Sequence, residues 1–257
     1  MSVAGRHRPV SVPITLSESE GVRCLHFGTP WVQGAMLVAQ PQVLVLEYIQ
    51  RMMAWLLFLH PPAEILQLGL GAGSLTRLAH RRFRRSRVTV VEASRDVIDV
   101  CHACFALPPA DERLRLRCDD AQRFVARADA SGRYGVIQID LYDADARGPT
   151  CDSLAFYQDC RRALTDVGVC VVNLFGRHAS YRRNLARLNR VFQGRILALP
   201  AGTAGNIVVL AFKGPPLSVA WPALRERAAV VDRHFGWPAG QWVNAIRQAR
   251  PGERCAV

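Results

Sequence analysis

The sequence predicts an α/β fold: a doubly wound, mostly parallel sheet preceded by a small N-terminal β element. Three observations carry this expectation. Between residues 64 and 212, short apolar or β-branched runs alternate with segments of helical periodicity, the pattern of strand–helix–strand crossovers in a parallel sheet. A glycine-rich turn, Gly69-Leu-Gly71-Ala-Gly73, sits where the first such strand hands over to its helix. The first sixty residues lack the alternation and carry short strand-like pieces broken by Gly28, Pro30 and Gly34. The expected division is therefore residues 1–60 as a small β element with a connecting helix, and residues 61–257 as the α/β domain with a helical tail.

The elements follow in order. An apolar helix is expected from about Val43 to His60. Glu64 begins a short apolar strand, and Ser74 to Phe83 forms a helix with Leu75, Leu78 and Ala79 on its apolar side. Arg87–Glu92 reads as a β-branched strand, and Ser94 as the N-cap of a helix reaching Phe105. A short strand at Leu114–Arg117, a helix at Ala121–Ala128 and a strand at Tyr134–Asp140 come next. Asp152 or Ser153 caps a helix over Leu154–Leu164, ahead of a strong strand at Gly168–Leu174. Ser180–Phe192 reads as helix, Ile196–Leu199 and Ile207–Phe212 as the closing strands, and the tail from Trp221 as helix packed outside the sheet.

Composition narrows the function classes. The longest apolar run, Met52–Leu59, falls far short of the roughly 18 residues a membrane span needs. Met1–Pro13 holds two arginines and a histidine with no apolar core behind them, so no signal peptide is expected and the chain is placed in the cytoplasm. Its eight cysteines are then expected reduced. Cys101 and Cys104 form the one Cys-x-x-Cys pair; with no second pair at similar spacing they read as small apolar helix residues and not as a metal site. The net charge is +12, carried almost wholly by arginine, since Lys213 is the single lysine. The densest cluster is Arg77, Arg81, Arg82, Arg84, Arg85 and Arg87. It lies on the far side from the strand carboxyl ends and lacks interleaved aromatics beyond Phe83, so it reads as a solvated face and not as a nucleic-acid surface. The five tryptophans read as packing residues, Trp31 included.

The functional signal lies at the strand ends. Glycines at Gly69, Gly71 and Gly73 let the backbone approach a ligand and open a helix N-terminus to it. Glu92 ends the next strand 23 residues after Gly69, where a carboxylate can hold both hydroxyls of a ribose. Asp120 and Ala121 follow the third strand, where an adenine-binding carboxylate and amide belong. Open α/β sheets bind ligands in this crevice. The spacing Gly-x-Gly-x-Gly favours an S-adenosyl compound over a dinucleotide. The fourth strand ends in Asp140, and Tyr142, Asp143, Asp145 and Asp152 follow. This acidic loop in a basic chain suits a bound cation such as an amine. Asp140 is placed to orient an amine nucleophile and take its proton, and Tyr142 to add a hydrogen bond or an aromatic face.

At these residues the chain resembles the spermidine synthase (polyamine aminopropyltransferase) family, from about Thr15 to Phe212. The likeness rests on Thr15-Leu-Ser-Glu-Ser-Glu20, Gly69–Ser74, Val90-Val-Glu92, Phe105-Ala-Leu-Pro108 with Asp111-Glu-Arg113, Asp119-Asp120-Ala121, Asp140-x-x-Asp143 with Gly148-Pro149, and Phe156-Tyr157. The resemblance implies a Rossmann-like sheet of the S-adenosylmethionine-methyltransferase type. It also implies transfer of the aminopropyl group of decarboxylated S-adenosylmethionine to an amine such as putrescine, without a metal. By that likeness Glu92 holds the ribose, Asp120 the adenine, and Asp140 is the catalytic carboxylate. Asp143 and Tyr48 bind the amine, and a homodimer is expected. Three features depart from the family pattern: Ala72 stands where the glycine loop usually has aspartate, Tyr48 is followed by Ile49-Gln50 in place of His-Glu, and the glutamine usual near Gly34–Leu37 is displaced, with Gln33 or Gln40 as its substitutes. Methyl transfer from S-adenosylmethionine itself, and nucleoside binding without catalysis, stay open as alternatives.

Overall fold

A computed structural model describes residues 13–142 and 150–257. Three antiparallel strands come first: β1 (Thr15–Ser19), β2 (Val22–His26) and β3 (Gly34–Leu37), in the order β1-β2-β3. The connecting segment holds only a one-turn helix, α1 (Glu47–Arg51), and a 3-10 turn at Ala54–Leu57. This corrects the long helix expected from Val43 to His60. Residues 52–57 are buried on every side, so burial, and not an amphipathic stripe, decides their conformation.

The central sheet has seven strands: β4 (Glu64–Leu68), β5 (Arg87–Glu92), β6 (Leu114–Cys118), β7 (Tyr134–Ile139), β8 (Leu164–Phe175), β9 (Ile196–Ala198) and β10 (Asn206–Lys213). Their order is β6-β5-β4-β7-β8-β10-β9. The first five are parallel, and β10 runs antiparallel to both β8 and β9. Successive residues of each strand point to opposite faces. Ile65, Val88, Val90, Val136, Val169 and Val171 pack on one face with α2 (Ser74–Arg82), α3 (Arg95–Cys104) and the N-terminal segment. Leu66, Leu68, Ile137, Ile139 and Val172 pack on the other with α4 (Ala121–Ala126), α5 (Leu154–Ala163) and α6 (Tyr181–Val191). The tail forms α7 (Trp221–Phe235) and α8 (Ala239–Ala249), which join the first face, and two short strands, β11 (Ser218–Ala220) and β12 (Arg254–Ala256), pair beside them. This is the Rossmann-like architecture expected. Among the described residues no helix is long and apolar enough to cross a membrane.

Local chemistry sets the helix starts around the crevice. Ser94 Oγ accepts from Val97 N, Asp120 Oδ1 from Arg123 N at 2.7 Å, and Ser153 Oγ from Phe156 N at 3.0 Å, each capping its helix. Of the two cap candidates for α5, Ser153 caps, and Asp152 instead pairs with Arg183 and Arg187 of α6. Sheet hydrogen bonding continues past the strand ends: Gly69 N donates to Val91 O and Asp140 N to Leu68 O, both at 2.9 Å. Gly69 and Asp140 are thereby fixed side by side, where the strand order reverses between β4 and β7.

The basic cluster needs one correction. Arg81, Arg82, Arg84, Arg85 and Arg87 are exposed, but Arg77 is buried. Its guanidinium donates to Pro41 O, Ala72 O, Phe105 O and Ser74 Oγ. Planar and many-handed, it satisfies carbonyls from three segments at once. Burial lowers its pKa to about 10, which leaves it charged at neutral pH. Cys101, also buried, donates to Gly71 O at 3.0 Å, and all eight cysteines are free.

Candidate active site

A cavity of about 960 Å³ opens at the carboxyl ends of β4, β5, β6 and β7. Eight of the ten residues expected at the site line it: Tyr48, Gly69, Gly71, Glu92, Asp120, Ala121, Asp140 and Tyr142. Gly73 does not. It precedes α2 with φ +70°, and a Cβ there would meet Leu107 and Arg77, so its place is structural. Asp143 lies outside the described residues, as do Asp145 and Gly148-Pro149.

At one end, the glycine turn and Glu92 form a single unit. Glu92 accepts from Leu70 N at 3.0 Å through Oε2 and from Ser94 N at 2.9 Å through Oε1. Its carboxylate thus ties the turn after β4 to the start of α3, and each oxygen keeps a second lone pair for a ligand. Burial raises its pKa against the opposing pull of these amides. Gly69 adopts φ +92°, and a Cβ there would stand 2.2 Å from Asp140 O, so no side chain fits. Asp120 is the N-cap of α4 and also lines the cavity. Asp119 beside it pairs with Arg123.

At the other end, Asp140 is the hub. Asn173, on β8, donates Nδ2–H to Oδ1 at 2.8 Å, and the Tyr48 hydroxyl donates to Oδ2 at 3.3 Å. Asn206 of β10 donates in turn to Asn173 Oδ1 at 3.0 Å, and the Tyr142 hydroxyl to Asn173 O at 3.0 Å. Protein surrounds the Asp140 carboxylate closely enough that desolvation raises its pKa, and the two donors only partly offset this. Burial next to that carboxylate pushes the Tyr48 and Tyr142 phenols well above their usual value, so both stay protonated donors. Among the described residues no group of three His, Cys, Asp or Glu side chains is placed to hold a metal ion.

Sequence reasoning passed over Asn173 and Asn206. Asn173 had a signal available, since an amide inside the apolar run Val169–Phe175 is costly unless hydrogen-bonded; Asn206, at the start of β10, had none. Glu47 and Thr203 also line the cavity and were not anticipated. Trp31 is 59% exposed at the cavity, which corrects its reading as a packing residue. The other four tryptophans are buried. His178 hydrogen-bonds Ser180 at 2.7 Å and does not line the cavity. Ala72, where a carboxylate was expected by family likeness, is buried against β3: a Cβ built on Gly34 would lie 2.6 Å from its methyl group.

A family model for the spermine/spermidine synthase domain matches residues 46–187. A polyamine aminopropyltransferase of Chromobacterium violaceum is 34% identical over 235 residues, covering 91% of this chain and 89% of the relative. The "probable spermidine synthase" of Corynebacterium glutamicum shares the fold, with TM-score 0.69 and 22% identity over 98% of this chain and 95% of its own. Human methyltransferase-like protein 13, solved in complex with SAH, superposes with TM-score 0.67 and 26% identity over 75% of this chain and 94% of its own. With its sheet order, its site at the strand ends and its likeness along nearly the whole length of a curated member, the chain belongs to the spermine/spermidine synthase family of transferases.

Proposed function

We propose that this protein transfers the aminopropyl group of decarboxylated S-adenosylmethionine to an amine such as putrescine, as a cytoplasmic homodimer without a metal. The observation that carries the reading is Asp140. It is a desolvated carboxylate held by Asn173 and Tyr48, one strand from the nucleoside end of the cavity. In this reading Glu92 holds the ribose hydroxyls, and Asp120 with the Ala121 amide holds the adenine. The acceptor lies between Asp140, Tyr48 and Tyr142, with Asp143 binding its ammonium. The amine nitrogen attacks the aminopropyl methylene carbon bonded to the sulfonium sulfur. The new N–C bond forms as the C–S bond breaks, the electron pair stays on sulfur, and methylthioadenosine leaves. Asp140 orients the amine and takes the proton that the nitrogen gives up. A carboxylate whose pKa burial has raised is a better base for that task. The Tyr48 and Asn173 donors fix its two oxygens, so the geometry is set before the reaction begins.

A second reading has one observation in its favour. Ala72 leaves the glycine turn without the carboxylate that would anchor the aminopropyl ammonium, which suits a donor that still bears its own carboxylate and gives up its methyl group. One assay separates the two readings. The protein is incubated with putrescine and either decarboxylated or intact S-adenosylmethionine, and the nucleoside product is identified. Methylthioadenosine from the decarboxylated donor supports aminopropyl transfer. Turnover of the intact donor alone, releasing S-adenosylhomocysteine, contradicts it.

A further inference from the structure

We infer that Glu47 and Thr203 form a latch that closes the acceptor end of the cavity and limits the length of amine admitted. The inference rests on the acceptor reading proposed above. The loop joining β9 to β10 lines the cavity through Gly202, Thr203 and Ala204, on the β8 and β10 side of Asp140 in the sheet order. That loop is folded on itself, with Gly202 N donating to Asn206 O at 3.0 Å and Gly205 N to Gly202 O at 2.9 Å. It is tied to α1 by one carboxylate. Thr203 N, at 2.9 Å, and Thr203 Oγ1, at 2.6 Å, both donate to Glu47 Oε2. Arg51, one turn along α1, pairs with Glu47 Oε1 at 2.7 Å and also donates to Pro200 O, so it grips both sides of the same junction. The loop is pressed tightly onto the carboxylate: a Cβ on Gly202 would stand 3.0–3.2 Å from it.

Two features make this a limit on the acceptor and not only a loop anchor. Glu47 directly precedes Tyr48, whose hydroxyl reaches Asp140, so the latch and the clamp on Asp140 share a one-turn helix. The charge of Glu47 is also spent on Arg51 and Thr203. The far wall therefore presents a neutralised pair, with less attraction for a distal ammonium than a free carboxylate would have. An amine long enough to reach past Asp140 to this wall must break the Thr203 hydrogen bonds to extend further. Thr203 itself is exposed, so the loop has solvent to open into.

The test uses the full chain as wild type, Glu47→Gln and Thr203→Val. Methylthioadenosine release is measured with decarboxylated S-adenosylmethionine and linear diamines of three to six carbons. In both variants kcat/KM for the longest diamine, relative to the best one, is expected to rise about tenfold, with the KM for the donor unchanged. An unaltered length profile overturns the inference. Hydrogen exchange across residues 199–206 reads the latch independently of any activity. Exchange at the Thr203 amide is expected to speed up about tenfold in Glu47→Gln, and an unchanged rate overturns the latch. A wild type that uses no diamine, in a protein whose Thr203 amide responds to Glu47→Gln, overturns the acceptor reading and the length limit while leaving the latch in place.

Discussion

Asn173 donates its amide hydrogen to Asp140 Oδ1 at 2.8 Å, joining the ends of two neighbouring parallel strands through their side chains. The bond has an electrostatic consequence. Burial disfavours the ionised carboxylate, whereas Asn173 and Tyr48 favour it. The basicity of Asp140 is the balance between these effects, and each of its parts can be removed separately.

Asn173→Ala deletes a donor that stabilises the charged form, so the pKa of Asp140 should rise further. Because the base must be ionised to accept a proton, activity falls as pH drops through that pKa. The acidic limb of the kcat/KM profile is therefore expected above the ordinary aspartate range in the wild type, and at higher pH again in the variant. A pH profile with putrescine as acceptor checks both, and a limb that stays put or moves down would separate Asn173 from the ionisation of Asp140.

Glu92→Gln should weaken nucleoside binding. The amide nitrogen of glutamine cannot accept a hydrogen bond, so one of the Leu70 and Ser94 amides loses its partner, and the ribose of the proposed nucleoside loses a charged acceptor. At about 1.5–3 kcal/mol for a hydrogen bond to a charged group, methylthioadenosine affinity is expected to fall by roughly 10- to 100-fold. Titration calorimetry gives the number.

Arg77→Met leaves Ala72 O, Phe105 O and Pro41 O without their buried donor. At about 1–3 kcal/mol for each unsatisfied group, a loss of about 3 kcal/mol or more is expected. That corresponds to a fall of roughly 6–12 °C in Tm for a chain of this size. Lysine in its place should rescue only part of this, because one ammonium cannot span three carbonyls in a fixed plane. Thermal melts of the two variants decide it.

Gly69→Ala places a methyl group against Asp140 O at a backbone angle of φ +92°. Relief requires the ends of β4 and β7 to part, which moves Asp140. Turnover should fall at least tenfold, with a parallel loss of stability of about 2 kcal/mol or more from the left-handed conformation and the clash. Steady-state kinetics with a matched urea denaturation curve distinguishes the two effects.

Much of this was legible in the sequence for identifiable reasons. Strands β4, β5 and β7 are short apolar or β-branched runs, buried on both faces of the sheet and set between helical segments, and Ser94, Asp120 and Ser153 cap their helices with side-chain oxygens. Glu92, Asp120 and Asp140 could be placed because each stands at or just past the carboxyl end of a parallel strand, and ligands bind at those ends. What stayed hidden depended on contacts between distant segments. Arg77 reads as one more arginine of a surface cluster until Pro41, Ala72 and Phe105 are folded around it. Residues 43–60 look helical because they are apolar, whereas burial of residues 52–57 on every side removes the helical stripe as a guide there. Glu47 and Thr203 are 156 residues apart, and neither sits in a motif. Ala72 was visible as a departure, but its burial against Gly34 required the third strand to be in position.

The central claim is that Asp140 is the base for transfer of an aminopropyl group, and Asp140→Asn tests it most directly. Asparagine keeps the shape of the side chain and removes the proton acceptor. With decarboxylated S-adenosylmethionine and putrescine, kcat is expected to fall by about 10²- to 10⁴-fold, while methylthioadenosine binds as tightly as to the wild type. A variant that turns over at the wild-type rate would contradict the account.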